Sequence, residues 1–185
     1  FKDLAGVGLA LKLGAALLQR FGRQVPWSAL FRISCLGTIA DAAPLVGENR
    51  VLASRGLAVL AATPSLGLRE LFAEAAVVAP ISAHDVGFRI GPRLNAVGRL
   101  GAADPALELL LTRDPARAKA LAAEIGRCNS ERRELEKQVV DDCAARYAGG
   151  DLPAVLIGWS ASWNRGVVGI AAGRRVTGEF DEAMQ

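Results

Sequence analysis

The sequence predicts a predominantly helical chain belonging to an α/β parent, and three observations carry that prediction. Apolar residues recur at helical spacing through most of the 185 residues. One such stripe, from Asp114 to about Tyr147, runs on for roughly 30 residues, a reach of about 45 Å at 1.5 Å per residue. Only one segment, Leu152–Gly158, reads as a buried strand. A lone strand followed by one helix cannot pair its edges, so the α/β part is expected only to begin here.

The elements follow in order. Val7 to Phe21 is expected as a helix with a small-residue face, stopped by Gly22 and Pro26. Trp27 to Ala40 is a second helical run, with Ser28 as its cap. Pro44, Gly47 and Asn49 mark a turn, and Glu48 to Ala62 resumes helical spacing. Thr63 to Gly67 breaks it, and Leu68 to Ala76 is a short helix. Pro80 opens a linker in which Ser82 and Asp85 have the spacing of a capping box. Asp114-Pro115 starts the long helix, with proline at its first position. Its Glu131–Lys137 stretch alternates charge as a solvated or domain-bridging surface does, and Gly149-Gly150 stops it. Gly166 to Arg174 is a loop entering a final helix.

Composition bounds the function. The chain is 51% hydrophobic and 22% charged, ordinary for a globular protein, and its net charge is +3 from 22 basic and 19 acidic residues. Any basic patch for nucleic acid must therefore be local. An aromatic share of 5% argues against a broad base-stacking platform. Cys35, Cys128 and Cys143 form no CxxC pair and suit reduced thiols in a cytoplasmic protein. The most apolar stretch, Leu4 to Leu18, carries Lys12 and is too short to span a bilayer. Position 1 is not Met, so the chain reads as cut from something longer.

The most informative motif is Gly87-Phe-Arg-Ile-Gly-Pro-Arg-Leu-Asn-Ala-Val-Gly-Arg-Leu-Gly101. It sets Arg89, Arg93, Asn95 and Arg99 together, with no acidic residue from Val86 to Ala103. Clustered guanidiniums repel one another unless an anion or a distant carboxylate answers them. Two readings stay open: a structural ion-pair or helix-capping network, and a seat for phosphate oxygens. If the segment is helical, Arg89 and Arg93 share a face. Gly98 and Gly101 would allow close backbone approach, or a left-handed turn, around Arg99.

Two further candidates stand apart from it. Asp41, at the end of an apolar run, is either a turn residue or a ligand for a hard cation. Asn164-Arg165-Gly166-Val-Val-Gly169 is either an ordinary turn or an anion seat at a helix entrance. His84 reads as a surface or capping residue. There is no zinc-type His pair, GxSxG or Walker A lysine, and Gly6-Val-Gly8 lacks the third glycine of a dinucleotide loop.

Taken in order, Leu4-Ala-Gly-Val-Gly8, Leu36-Gly-Thr-Ile-Ala-Asp41 with Pro44-Leu-Val-Gly-Glu-Asn-Arg50, the arginine motif, and Trp163-Asn-Arg-Gly-Val-Val-Gly-Ile170 resemble the bacterial RecJ family. These are single-strand-specific 5′→3′ DNA exonucleases of the DHH phosphoesterase superfamily. The resemblance implies that residues 1–113 are the C-terminal part of a DHH domain, 114–149 a connector helix, and 150–185 the start of a DHHA1 domain. It also implies two-metal phosphodiester hydrolysis with Mn²⁺ or Mg²⁺, Asp41 being a catalytic metal ligand whose companion Asp and His ligands precede this chain. Arg89, Arg93, Asn95, Arg99, Asn164 and Gly166 are implied to contact the strand. Asn164 stands where the family usually has His, so it can hydrogen-bond but cannot carry charge. The implied partners are single-stranded DNA, a single-strand-binding protein and a helicase. A cytoplasmic monomer, inactive as this piece alone, is expected. The rivals are a non-catalytic DNA-binding relative and a DHH phosphodiesterase acting on short oligonucleotides or cyclic dinucleotides.

Overall fold

The computed structural model describes residues 1–147 and 155–176, with side chains described through Gly173. Among them the structure is helical and contains no strand. It comprises α1 (Gly6–Arg20), α2 (Trp27–Ala40), α3 (Gly47–Leu60), α4 (Leu66–Glu74), a π-helical turn (Asp85–Ile90), α5 (Gly91–Leu100), α6 (Asp104–Leu111), α7 (Pro115–Tyr147) and α8 (Arg165–Val176).

The expected strand is corrected by this. Residues 152–154 lie outside the described residues, and Val155–Gly158 join no sheet. With no neighbouring strand among the described residues, the polar groups of Ile157 turn to a side chain: its N–H donates to the Tyr147 hydroxyl at 2.9 Å, which donates to its carbonyl at 2.8 Å. Ser28 is not a cap either, because α2 starts one residue earlier, after Pro26, with no side chain closing it. Asn49 is no turn residue: Gly47, at φ +50, ends the turn, and Asn49 lies buried within α3. The "linker" from Pro80 is replaced from Asp85 onward by continuous helix, and α6 was not anticipated.

Two start signals hold. Asp114 Oδ1 accepts from the N–H groups of Ala116 at 2.8 Å and Arg117 at 3.3 Å, capping α7. Ser82 and Asp85 form the reciprocal box: Ser82 N and Oγ donate to Asp85 Oδ2 at 3.0 and 2.7 Å, and Asp85 N donates to Ser82 Oγ at 3.1 Å. Those Ser82 bonds, with help from Arg89, hold the Asp85 carboxyl at about 2, below its ordinary 3.8. Folding thus favours the charged form, so the box contributes stability above pH ~4 and loses it as pH falls towards 2. Thermal melts between pH 5 and 2 should show wild type losing more stability than Asp85→Asn; parallel curves would remove the box from the balance.

Close packing rests on small residues. A Cβ on Gly56 would collide with Cys35 and the Phe31 carbonyl, locking α3 on α2, and one on Gly67 would collide with the Leu109 carbonyl, locking α4 on α6. The main core joins Leu60, Leu68, Leu71, Val86, Ile90, Val97, Leu109, Leu121 and Ile125. Within the helical layer Cys35 is fully buried, and burial pushes its thiol up to about 12, so it packs as an apolar group. A second, smaller cluster joins Val139, Val167 and Ala171, with Leu100, Leu135 and Trp163 against it.

Helix α7 serves both clusters. Leu121, Ala122 and Ile125 enter the first, Val139 the second, and between them Asn129 and Glu136 form a buried polar face on an otherwise exposed span. Arg132 Nη1 donates to Glu136 Oε2 at 2.7 Å, with side-chain exposures of 12% and 2%, and Arg132 Nη2 donates to Asn129 Oδ1 at 3.2 Å. Only the face of this charged stretch that carries Arg132 and Glu136 is covered; Glu131, Arg133, Glu134 and Lys137 are exposed.

Candidate functional site

The arginine motif is helix for most of its length, and α5 gathers the candidate segments. At its start, Gly91 packs on the end of α2. A Cβ on Gly91 would meet Ala40 Cβ and the Val86 carbonyl, each at 2.9 Å. Asp41 is the next residue after Ala40, so the missing side chain of Gly91 lets the end of α2, where Asp41 begins the following turn, approach the start of α5 closely. At its other end, Arg99 Nη1 donates to the Gly166 carbonyl at 3.2 Å, at the entrance of α8. Ten residues, about 15 Å of helix, therefore connect Asp41 to Asn164 and Gly166.

Asp41 itself is the exposed C-cap of α2. Ala42 follows at φ +52, a left-handed conformation costly for alanine, which turns the chain sharply away from the carboxylate. The loop is pinned from below. Asn49, with no exposed surface, donates through Nδ2 to the Pro44 carbonyl at 3.1 Å and the Asp3 carbonyl at 2.7 Å. Among the described residues no group of three or more His, Cys, Asp or Glu side chains could hold a metal ion. Asp41 fits as one hard oxygen donor for a divalent cation, and further donors must come from elsewhere.

The arginines differ in what they touch. Arg89 donates to Asp85 Oδ1 at 3.2 Å and to the Ala76 carbonyl at 2.8 Å, so it is tied into the preceding loop. Arg93 Nη1 donates to the Arg89 carbonyl at 2.7 Å, while its Nε is buried with no hydrogen-bond partner. Burial lowers the Arg93 pKa; Glu74 opposes that, and the like charges of Arg89 and Arg133 add to it. Asn95 and Arg99 are exposed. Asn164 Oδ1 accepts from Gly166 N at 2.8 Å, capping the first turn of α8. Gly98 and Gly101 make no special turn: Gly98 is helical and Gly101 is extended at φ −169.

Sequence reading missed Arg133. It sits on α7 among alternating charges, where nothing marks it, yet its charge reaches Arg93 and it lines a groove of about 520 Å³ with Ser130, Glu134, Lys137 and Val140. It also missed the exposed ring of Phe88, stacked by His84 at 4.7 Å beside Arg89, because a low aromatic total hides one well-placed ring. The arrangement concentrates positive charge around Arg93, with Arg89 and Arg133 near it, which suits a polyanion.

Comparison with known proteins places the chain among relatives. No family model matches the chain. The chain is 42% identical over 179 residues to the single-stranded-DNA-specific exonuclease RecJ of Bacillus subtilis (strain 168), which covers 95% of this chain and 22% of that protein. The crystal structure of RecJ in complex with Mg²⁺ from Thermus thermophilus superposes with a TM-score of 0.87 and 37% identity, covering 96% of this chain and 28% of that one. A crystal structure of exonuclease RecJ bound to manganese gives 0.83 and 37%, covering all of this chain and 46% of that one. The chain spans about a quarter of the length of the curated relatives it matches.

Proposed function

We propose, from the premise that this chain is a segment of RecJ type in sequence and backbone, that it forms the strand-gripping part of a metal-dependent 5′→3′ exonuclease acting on single-stranded DNA. The observation that carries the reading is the placement of Asp41, Arg93 and the α8 entrance along the single helix α5. In this reading residues 1–113 close the DHH domain, 114–149 connect, and 150–185 begin the DHHA1 domain. Arg93, Arg99 and Arg133 face backbone phosphates, Asn95 and the Asn164–Gly166 turn border the strand, and Arg89 braces Arg93 through its carbonyl.

Asp41 supplies one carboxylate to a divalent ion, Mn²⁺ or Mg²⁺ as in the solved relatives. Such an ion, when bound, polarises the phosphate and lowers the pKa of bound water. This chain's own share is to hold the strand: guanidinium groups neutralise its charge and fix the phosphate beside Asp41. The site belongs to a cytoplasmic enzyme of repair and recombination, working with a single-strand-binding protein and a helicase.

The test is an assay of the longer protein that carries this chain, with Mn²⁺ and oligonucleotides labelled at either end. Release of mononucleotides from the 5′ end of single strands, and not from duplex, is expected. Strand binding without cleavage would replace the enzyme by its non-catalytic alternative, and cleavage confined to di- or trinucleotides would replace it by the oligonucleotide phosphodiesterase.

A further inference from the structure

We infer that Gly166 and Arg99 form a fixed stop between α5 and α8, and that this stop sets the spacing between the arginine helix and the Asn164 turn. Its consequence for strand binding rests on the nuclease reading above; the stop itself does not.

The contact runs in both directions between the same two residues. A Cβ on Gly166 would collide with the Arg99 carbonyl oxygen and lie 2.9 Å from its carbon and 3.2 Å from its Cα. Those atoms are backbone and cannot swing aside, so α8 stands as close to α5 as main chains allow. In return, the Arg99 side chain reaches across to the Gly166 carbonyl. The Gly166 N–H is already held by Asn164 Oδ1, so both polar groups of Gly166 are engaged and the turn is fixed in orientation.

The next residue on each side packs into one apolar cluster, Val167 fully and Leu100 partly buried. Leu100, after Arg99, and Val167, after Gly166, both join Val139 and Trp163. Trp163 is itself anchored, its Nε1 donating to Asp142 Oδ2 of α7 at 2.8 Å. The glycine is not a habit of this helix, because Cβ atoms on Gly169 and Gly173 would meet nothing within 4 Å. Only position 166 demands the missing side chain. Arg93 lies six residues before Arg99 on one helix, so an added methyl at 166 moves the Asn164 turn away from α5 and from Arg93. Arg99 is then a positioning residue as well as a phosphate contact.

The test compares Gly166→Ala with Gly173→Ala in the longer protein that carries this chain. Hydrogen–deuterium exchange of α8, and anisotropy with a fluorescent single-stranded oligonucleotide, are the readouts. Gly166→Ala should speed exchange in α8 by about tenfold, a local opening. It should weaken binding in the anisotropy titration by about tenfold and, in the cleavage assay, raise KM by about tenfold with kcat within about twofold, the pattern of lost uniform binding. Gly173→Ala should leave affinity unchanged and slow exchange, alanine being the better helix former. Arg99→Gln, which removes only the side-chain half of the stop, guards against a Gly166→Ala protein that does not fold, and should speed α8 exchange by about threefold. Wild-type exchange in both variants overturns the stop. Faster exchange in a protein that binds no single strand keeps the stop and overturns the nuclease reading instead.

Discussion

Asp41→Asn in the longer protein is expected to reduce Mn²⁺-dependent cleavage of single-stranded DNA by about a thousandfold or more, each factor of ten being about 1.4 kcal/mol of transition-state stabilisation. The substitution keeps the shape of the side chain and removes its charge, so it separates ligation from packing. Among the described residues the Asp41 carboxylate takes no hydrogen bond or ion pair, and the C-cap of α2 is closed by backbone: Asp41 N–H donates to the Gly37 carbonyl and Ala42 N–H to the Ile39 carbonyl. An exposed side chain with no partner contributes little to folding, so the melting temperature should stay within about a degree or two, as for an ordinary surface change. Activity and stability are therefore predicted to part company. A Mn²⁺ titration of cleavage beside a thermal melt reads both. Activity within tenfold of wild type removes Asp41 from the metal site; a large fall in melting temperature makes it a structural turn residue.

How much of this was legible follows from where each signal resides. Apolar period gave α1, α3, α4 and α7 to within a few residues, because burial of one helix face is written along the chain itself. The caps at Asp114 and at Ser82 with Asp85 were equally plain, since a cap needs only residues within three positions of one another. The glycines were not. Gly98 and Gly101, which flank Arg99, drew attention by their position, yet the close approaches fall at Gly91 and Gly166. What decides is the atom lying opposite, an Ala40 methyl or an Arg99 carbonyl, and that belongs to another part of the chain. α6 escaped notice because eight residues are too few to establish a stripe. Arg133 escaped because its partner across space is 40 positions away in sequence. The expected strand failed for the same kind of reason: an apolar run shows that a segment is fit for a sheet, while a sheet requires a neighbour. The motif order named the segments, and only tertiary packing showed that α5 touches both the end of α2, through Gly91, and the start of α8, through Arg99.

Arg93→Ala should weaken binding of single-stranded DNA about tenfold to a hundredfold, the range for losing a charge-assisted contact of about 1.5–3 kcal/mol. Two readings of this arginine compete, and they predict different salt behaviour. If Arg93 neutralises one phosphate, its loss flattens the plot of log affinity against log salt by about 0.7, the single-strand value per contact. If it is a brace within the protein, affinity falls only as the fold loosens, and the slope is unchanged. The surroundings favour the first. Its Nη1 is spent on the Arg89 carbonyl, but its Nε is buried without a partner, and Arg89 and Arg133 leave it in excess positive charge that Glu74 alone opposes. A phosphate relieves that excess; the protein by itself does not. Arg93→Lys should restore the slope and only part of the affinity, since an ammonium keeps the charge and loses the planar fork. Arg89→Ala supplies the contrast. Arg89 is tied to Asp85 and to the Ala76 carbonyl, so its loss should lower the melting temperature more than Arg93→Ala does and change the salt slope less. Equal slopes for wild type and Arg93→Ala would return Arg93 to the scaffold and leave Arg133 and Arg99 as the cations that meet the strand.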